Sequence, residues 1–215
     1  MTATFEQPDG LYLSTGATLA QLLEDETLAA FAAGILHAAL TTTCYLLPAT
    51  CCISLAETLH YTGGPESYPL LTALLTLDAE VHAQIGEDRR VLPLPGFLSY
   101  RASLPPERAP LAALRLPPLN VGGRYHFAVT EGESWLAARL DLHETLRVAG
   151  HVRLALSSPT RPPQRLQSIE ERLDRQIMSQ TVLETALAAG TVDLASPLTQ
   201  AEQTTLLAVL NGLIA

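Results

Sequence analysis

A chain of 215 residues, 47% apolar and 16% charged, is long enough for one large domain or two small ones and apolar enough for a packed core, which excludes a disordered protein. Its net charge of −9 argues against nucleic acid and anionic membrane as partners, since both select basic patches. All thirteen basic residues are Arg, which excludes lysine Schiff-base chemistry and the lysine of a phosphate-binding P-loop.

Residues 1–9 read as a short frayed arm, with no basic and apolar tandem of a secretory signal. Alternation predicts a strand over 10–15, and Thr18 with Gln21 forms a capping box that starts a helix. Asp25 caps a second helical segment that places Leu28, Phe31, Ala32, Ile35, Leu36 and Ala39 on one face. Its apolar run, 28–40, is shorter than the ~20 residues a bilayer span requires. Thr41, Thr42 and Thr43 lower helix propensity, so the helix is expected to end there. Residues 62–65 signal a loop, 69–77 an apolar helix, and 79–84 a strand that turns at Gly86, Glu87 and Asp88 into another over 89–93. The proline-rich 94–110 reads as loop, followed by a strand over 111–116.

Prolines and glycines cluster at 117–123, the expected boundary between a first unit, 1–118, and a second, 119–215. The second unit shows three strands, over 125–130, 134–142 and 145–156, with turns or bulges at Glu131-Gly132 and Ala149-Gly150. The sheet is expected to end at 158–163. A helix with Leu166, Ile169, Leu173 and Ile177 inward follows, then one over 180–189. Thr199 and Glu202 cap a last helix that turns Leu206, Val209, Leu210 and Leu213 inward. The fold class is α+β, with antiparallel strands and helices first and a three-stranded antiparallel sheet packed on helices second.

Five segments resemble one family in order and spacing. GLYLSTGATLAQL from Gly10 is similar to a strand and helix of the form GLRIGAxxTLAEL, and LLTALLTLDAEV from Leu70 to a PALLALDAEV segment. RRVLPLPGF from Arg89, LAALRLPP from Leu111 and HVRLALSSPTRPP from His151 resemble its RxVPLxxFF, LLxxIxLPP and VRxARIALGGVAPTPxRA segments. The family is the FAD-binding medium subunit of the molybdenum hydroxylases, which includes carbon monoxide dehydrogenase and xanthine dehydrogenase. The resemblance implies that 1–118 is a partial FAD-binding-type domain whose N-terminal subdomain is absent, and that 119–215 matches the family's C-terminal domain.

The family's pyrophosphate loop, Ala-Thr-Ile-Gly-Gly-Asn, falls on Ala49, Thr50, Cys51, Cys52, Ile53 and Ser54. Glycines there let the backbone approach the diphosphate with amides pointing at it. Cys52 and Ile53 bring side chains into that space, and a β-branched residue resists positive φ. Thr50 to Ser54 are therefore expected to mark a cofactor site that has lost FAD. The cysteines would fill space a cofactor no longer needs.

Other chemistry is weaker. Cys44, Cys51, Cys52 and His60 match no zinc or iron–sulfur spacing, and adjacent cysteines form a disulfide only with strain. His143 and His151 could meet across a hairpin, and Asp141, His143 and Glu144 could be assembled on paper into a triad, but no G-x-S-x-G elbow supports it. Trp135 reads as a packing or interface anchor. The expected protein is thus a cytoplasmic homologue of the FAD-binding subunit without FAD, acting as a structural or docking component. Iron–sulfur and molybdenum-cofactor subunits, or a homo-oligomer, are the expected partners, without membrane insertion. The alternatives are an electron-transfer subunit that holds FAD with a partner chain, and a stand-alone ligand-binding protein.

Overall fold

The computed structural model describes residues 3–46, 52–60, 64–191 and 196–215. β1 (Thr4–Gln7) and β2 (Gly10–Ser14) form a hairpin in which Thr4 faces Leu13 and Gln7 faces Gly10. The frayed arm expected before Gly10 is thus a strand in part. It lies at a sheet edge with only Thr4 buried, so its sequence carries little apolar pattern. Gly10 has φ +143°, and a Cβ there would fall 2.1 Å from the Leu116 carbonyl oxygen, so the turn requires glycine.

The Thr18–Gln21 capping box starts α1 (Leu19–Leu23), and Asp25 caps α2 (Glu26–Ala30) by accepting from the Leu28 amide at 3.0 Å. The apolar face continues as the periodicity predicts, but the helix does not. Ala32 and Ala33 adopt left-handed φ of 50° and 54° within a short 3₁₀ turn, Phe31–Gly34. α3 (Ile35–Leu46) then starts afresh. It runs through the threonines instead of ending at them, because Thr41 and Thr42 donate their hydroxyls to the His37 and Ala38 carbonyls. The 21 residues Glu26–Leu46 are long and apolar enough to cross a bilayer by composition alone. Here the left-handed alanines interrupt them, and Leu28, Ala32, Ile35, Leu36, Ala39 and Leu40 are buried in the protein core.

α4 (Leu55–His60), a 3₁₀ turn at Pro65–Ser67 and α5 (Tyr68–Thr76) follow. Every residue of α5 from Pro69 to Thr76 is buried. β3 (Glu80–Ile85) and β4 (Asp88–Pro93) form the expected hairpin over Gly86 and Glu87. The expected loop beyond them contains α6 (Leu94–Tyr100) and a 3₁₀ turn, Arg101–Ser103. Pro95 lies in the first turn, where a missing amide costs nothing, and Leu94 and Phe97 are fully buried. β5 (Leu111–Leu116) completes a five-stranded antiparallel sheet of order β1-β2-β5-β3-β4.

The second sheet is a meander of β6 (Gly123–Val129), β7 (Trp135–His143), β8 (Val148–Ser158) and β9 (Arg161–Arg165). The expected three strands become four. β9 carries Pro162 and Pro163, which an edge strand tolerates and a central one does not. One face, with Leu136, Leu140, Leu154 and Leu156, packs in a core with α7 (Gln167–Leu173), α8 (Gln180–Gly190) and α9 (Gln200–Ile214). On the other, Ala137 and Ala155 join the core around α5. Ile177 is not on the inward helical face: α7 ends at Leu173, Arg175 turns left-handed, and Ile177 is exposed in a bridge to Val148. The Thr199–Glu202 capping box of α9 forms as expected. The fold is α+β with two antiparallel sheets.

Candidate functional site

Of the five residues at the expected cofactor loop, Thr50 and Cys51 lie outside the described residues. Cys52 is exposed, so it does not fill vacated space; Cys44, by contrast, is buried in the core. Ile53 is half-buried against the core, and its carbonyl accepts from the Leu19 amide at 3.0 Å. Ser54 bridges Thr18 and caps α4.

The amides at the head of α4 are all engaged within the chain. Ser54 N–H donates to the Glu57 carboxylate at 2.7 Å, Leu55 to the Ala17 carbonyl at 2.9 Å and Ala56 to the Thr15 carbonyl at 2.8 Å. Glu57 N–H donates to Ser54 Oγ at 3.2 Å, and that hydroxyl donates to Glu57 Oε2 at 2.7 Å. This is a capping box of the Ser-x-x-Glu form, which the sequence itself carried between Ser54 and Glu57. The Ser54 amide, then its hydroxyl, hold the Glu57 carboxyl below the ordinary carboxylate range. A carboxylate therefore lies against the first amides of α4, where an anion would need free amides and positive potential. The described residues at this loop do not fit a dinucleotide pyrophosphate.

A groove of about 650 Å³ opens beside the C-terminal end of α3. Thr41, Thr42, Tyr45 and Leu46 of α3 form one wall. Pro65 and Glu66 close one end, and Val129, Glu133, Trp135 and Pro159 of the second sheet form the far side. Trp135, only 3% exposed, is held at the start of β7, after a turn in which Thr130 N–H donates to the Ser134 carbonyl at 2.8 Å and Glu133 takes φ 59°. Among the described residues, Glu66 and Glu133 are the charged ones lining the groove, and no Arg lines it. Glu66 Oε2 is buried without a hydrogen bond and lies where a Cβ on Gly64 would fall, 2.0 Å from it.

A third feature, invisible in local sequence, joins the two halves. Asp78, left-handed at φ 51° just after α5, accepts from His151 Nε2 at 2.7 Å and from Arg153 Nε at 2.8 and 3.0 Å. Arg165 reaches Asp78 at 3.4 Å and also pairs with the buried Glu170, which accepts from the Leu154 amide at 2.8 Å. Higher on α5, Thr72 shares a 2.5 Å hydrogen bond with Ser157, and Thr76 donates to the Ala137 carbonyl at 3.3 Å. The only sequence signals were inward positions on an alternating strand and a polar residue at a helix end.

The other sequence candidates do not assemble. His151 turns to Asp78, while His143 is exposed opposite Val148 and accepts from the Leu146 amide at 3.2 Å. Asp141 pairs with Arg139 at 3.4 Å and accepts from Asn120 at 2.5 Å. Among the described residues no three His, Cys, Asp or Glu side chains are grouped to hold a metal ion.

The chain as a whole superposes on carbon monoxide dehydrogenase from Hydrogenophaga pseudoflava lacking the Mo-pyranopterin moiety, with a TM-score of 0.74 at 13% identity. That match covers 98% of this chain and 74% of the other. The fold is the one seen in that carbon monoxide dehydrogenase chain. Reconstituted CO dehydrogenase from Oligotropha carboxidovorans matches with a TM-score of 0.69 at 14% identity, over 97% of this chain and 74% of the other. Quinoline 2-oxidoreductase from Pseudomonas putida 86 gives 0.69 at 15%, over 98% and 74%. These neighbours bear out, at the level of fold, the resemblance to the FAD-binding subunit. Compared by sequence, the chain matches no family model and no curated protein.

Proposed function

We propose that this chain keeps the fold of the FAD-binding subunit, has lost FAD, and serves as a structural or docking subunit in the cytoplasm. The observation that carries the reading is the head of α4, where Ser54, Leu55, Ala56 and Glu57 amides all have internal acceptors and the Glu57 carboxylate accepts from the Ser54 amide and hydroxyl. A loop that binds a diphosphate keeps such amides free and its potential positive.

In this reading residues 1–118 form the remnant FAD-type domain and 119–215 a C-terminal domain, with α5 and Asp78 fixing one to the other. Its partners would be iron–sulfur and molybdenum-cofactor subunits, and a homo-oligomer is the competing assembly. Mass spectrometry of the native purified complex tests both parts at once. Partner chains without flavin support the reading, whereas one FAD per chain supports an electron-transfer subunit.

A further inference from the structure

We infer that the cleft between α5, α6 and β9 binds a small organic monocarboxylate with a compact apolar body, its carboxylate held by Arg101. Arg101 reaches the C-terminal end of α4 and not its head, so occupancy of the cleft does not require the loss of FAD proposed above.

The cleft measures about 360 Å³, within the range of small-molecule sites. Leu71 and Leu75 of α5, Leu98 of α6, and Pro162 and Pro163 of β9 give it an apolar lining. Among the described residues its charged lining is Arg101 and Arg165, with no carboxylate, in a chain whose 22 acidic residues outnumber its 13 Arg. Arg165 is already neutralised, since it pairs with Glu170 and reaches Asp78 at 3.4 Å. Arg101 is not. It follows α6, is half-buried, and among the described residues its one hydrogen bond runs from Nη1 to the Leu59 carbonyl at 3.2 Å. Burial pushes its pKa below the ordinary arginine value, yet a guanidinium does not shed its proton. A half-buried charge without a counter-ion is costly, and a carboxylate that accepts from its remaining N–H groups removes that cost. One uncompensated charge beside an apolar lining selects a monoanion with an apolar body over a hydrated dianion such as phosphate.

The test is calorimetric titration of the full chain with phenylacetate, beside its neutral analogue phenylacetamide and inorganic phosphate. The expected result is saturable binding of phenylacetate with a dissociation constant below about 1 mM, and binding at least about tenfold weaker for the amide and for phosphate. Arg101→Gln removes the charge and should weaken phenylacetate at least about tenfold. Because Arg101 also holds the Leu59 carbonyl, that variant could fail to fold, and Ser99→Glu then decides. Ser99 is exposed on α6 and lines the cleft, so the fold is kept while the new carboxylate repels the ligand, with a loss of at least about tenfold. No saturable heat, amide or phosphate binding as tight as phenylacetate, or unchanged affinity in Ser99→Glu overturns the inference. FAD content of the same preparation reports on the α4 head alone, so failure of the one claim is distinguishable from failure of the other.

Discussion

Asp78 and Arg153 stand 75 positions apart in the chain, yet the Arg153 Nε lies 2.8 Å from an Asp78 carboxylate oxygen. Through that pair the end of the most buried helix is locked to the central strand β8 of the second sheet. Burial on its own would raise the Asp78 carboxyl, but the hydrogen bonds from His151 and Arg153, with their charge, outweigh it and hold the group at about 2 against an ordinary 3.8.

The sign of the resulting pH dependence is fixed. A carboxyl depressed by folding contributes its stability above its unfolded value and loses it as the pH falls through the folded value. Unfolding free energy should therefore drop between about pH 4 and about pH 2 as this contact is protonated. Asp78→Asn isolates the charge, because Asn also tolerates the left-handed backbone. Urea denaturation should show a loss of about 2 kcal/mol at neutral pH and a flatter acid dependence than the parent.

The break before α3 gives a second prediction. Ala33 is exposed and left-handed, a conformation that costs an L-residue roughly 1–2 kcal/mol and glycine almost nothing. Offset by the extra freedom of an unfolded glycine, Ala33→Gly should stabilise by about 0.5 kcal/mol. Ala38→Gly, inside α3, should destabilise by about 1 kcal/mol in the same denaturation assay. If both substitutions destabilise alike, the helix is not broken at Ala33.

Contacts between α7 and α8 are tight enough to test by one methyl group. A Cβ on Gly190 would lie 2.5 Å from the Ile169 side chain and 3.1 Å from its Cα, and Ile169 is fully buried. Because the backbone cannot yield as a side-chain tip can, Gly190→Ala should cost about 1–3 kcal/mol by thermal denaturation.

The capping pair at α4 makes a separate prediction. Ser54→Ala removes the acceptor for the Glu57 amide and a donor to the Glu57 carboxylate, and should cost about 1 kcal/mol. Glu57→Gln keeps an acceptor for the Ser54 amide and should cost less. A larger loss for Glu57→Gln in chemical denaturation would place the stabilisation in the charge and not in the cap.

What the residues disclosed follows a physical divide. Local chemistry was legible: the boxes at Thr18–Gln21 and Thr199–Glu202, the Asp25 cap and the Gly86-Glu87 hairpin formed where the residue types placed them. Elements at edges were not, because β1 is mostly exposed and β9 holds two prolines that would exclude it from a sheet centre. Likewise, Pro95 marked a loop where it in fact begins α6. At the candidate site the Ser-x-x-Glu signal is present in the sequence, but the same Ser54 also falls at the end of the phosphate-loop resemblance, which masks its pairing with Glu57. The Asp78 joint and the groove depend on residues that only tertiary packing brings together, so no local pattern announced them.

With its first amides engaged internally, the head of α4 should not bind a dinucleotide. The direct measurement is the flavin content of purified protein after incubation with excess FAD, by visible absorbance of the gel-filtered chain. No flavin should be retained, and Glu57→Gln alone should not restore it because the other amides remain engaged. Retention of one FAD per chain would contradict it.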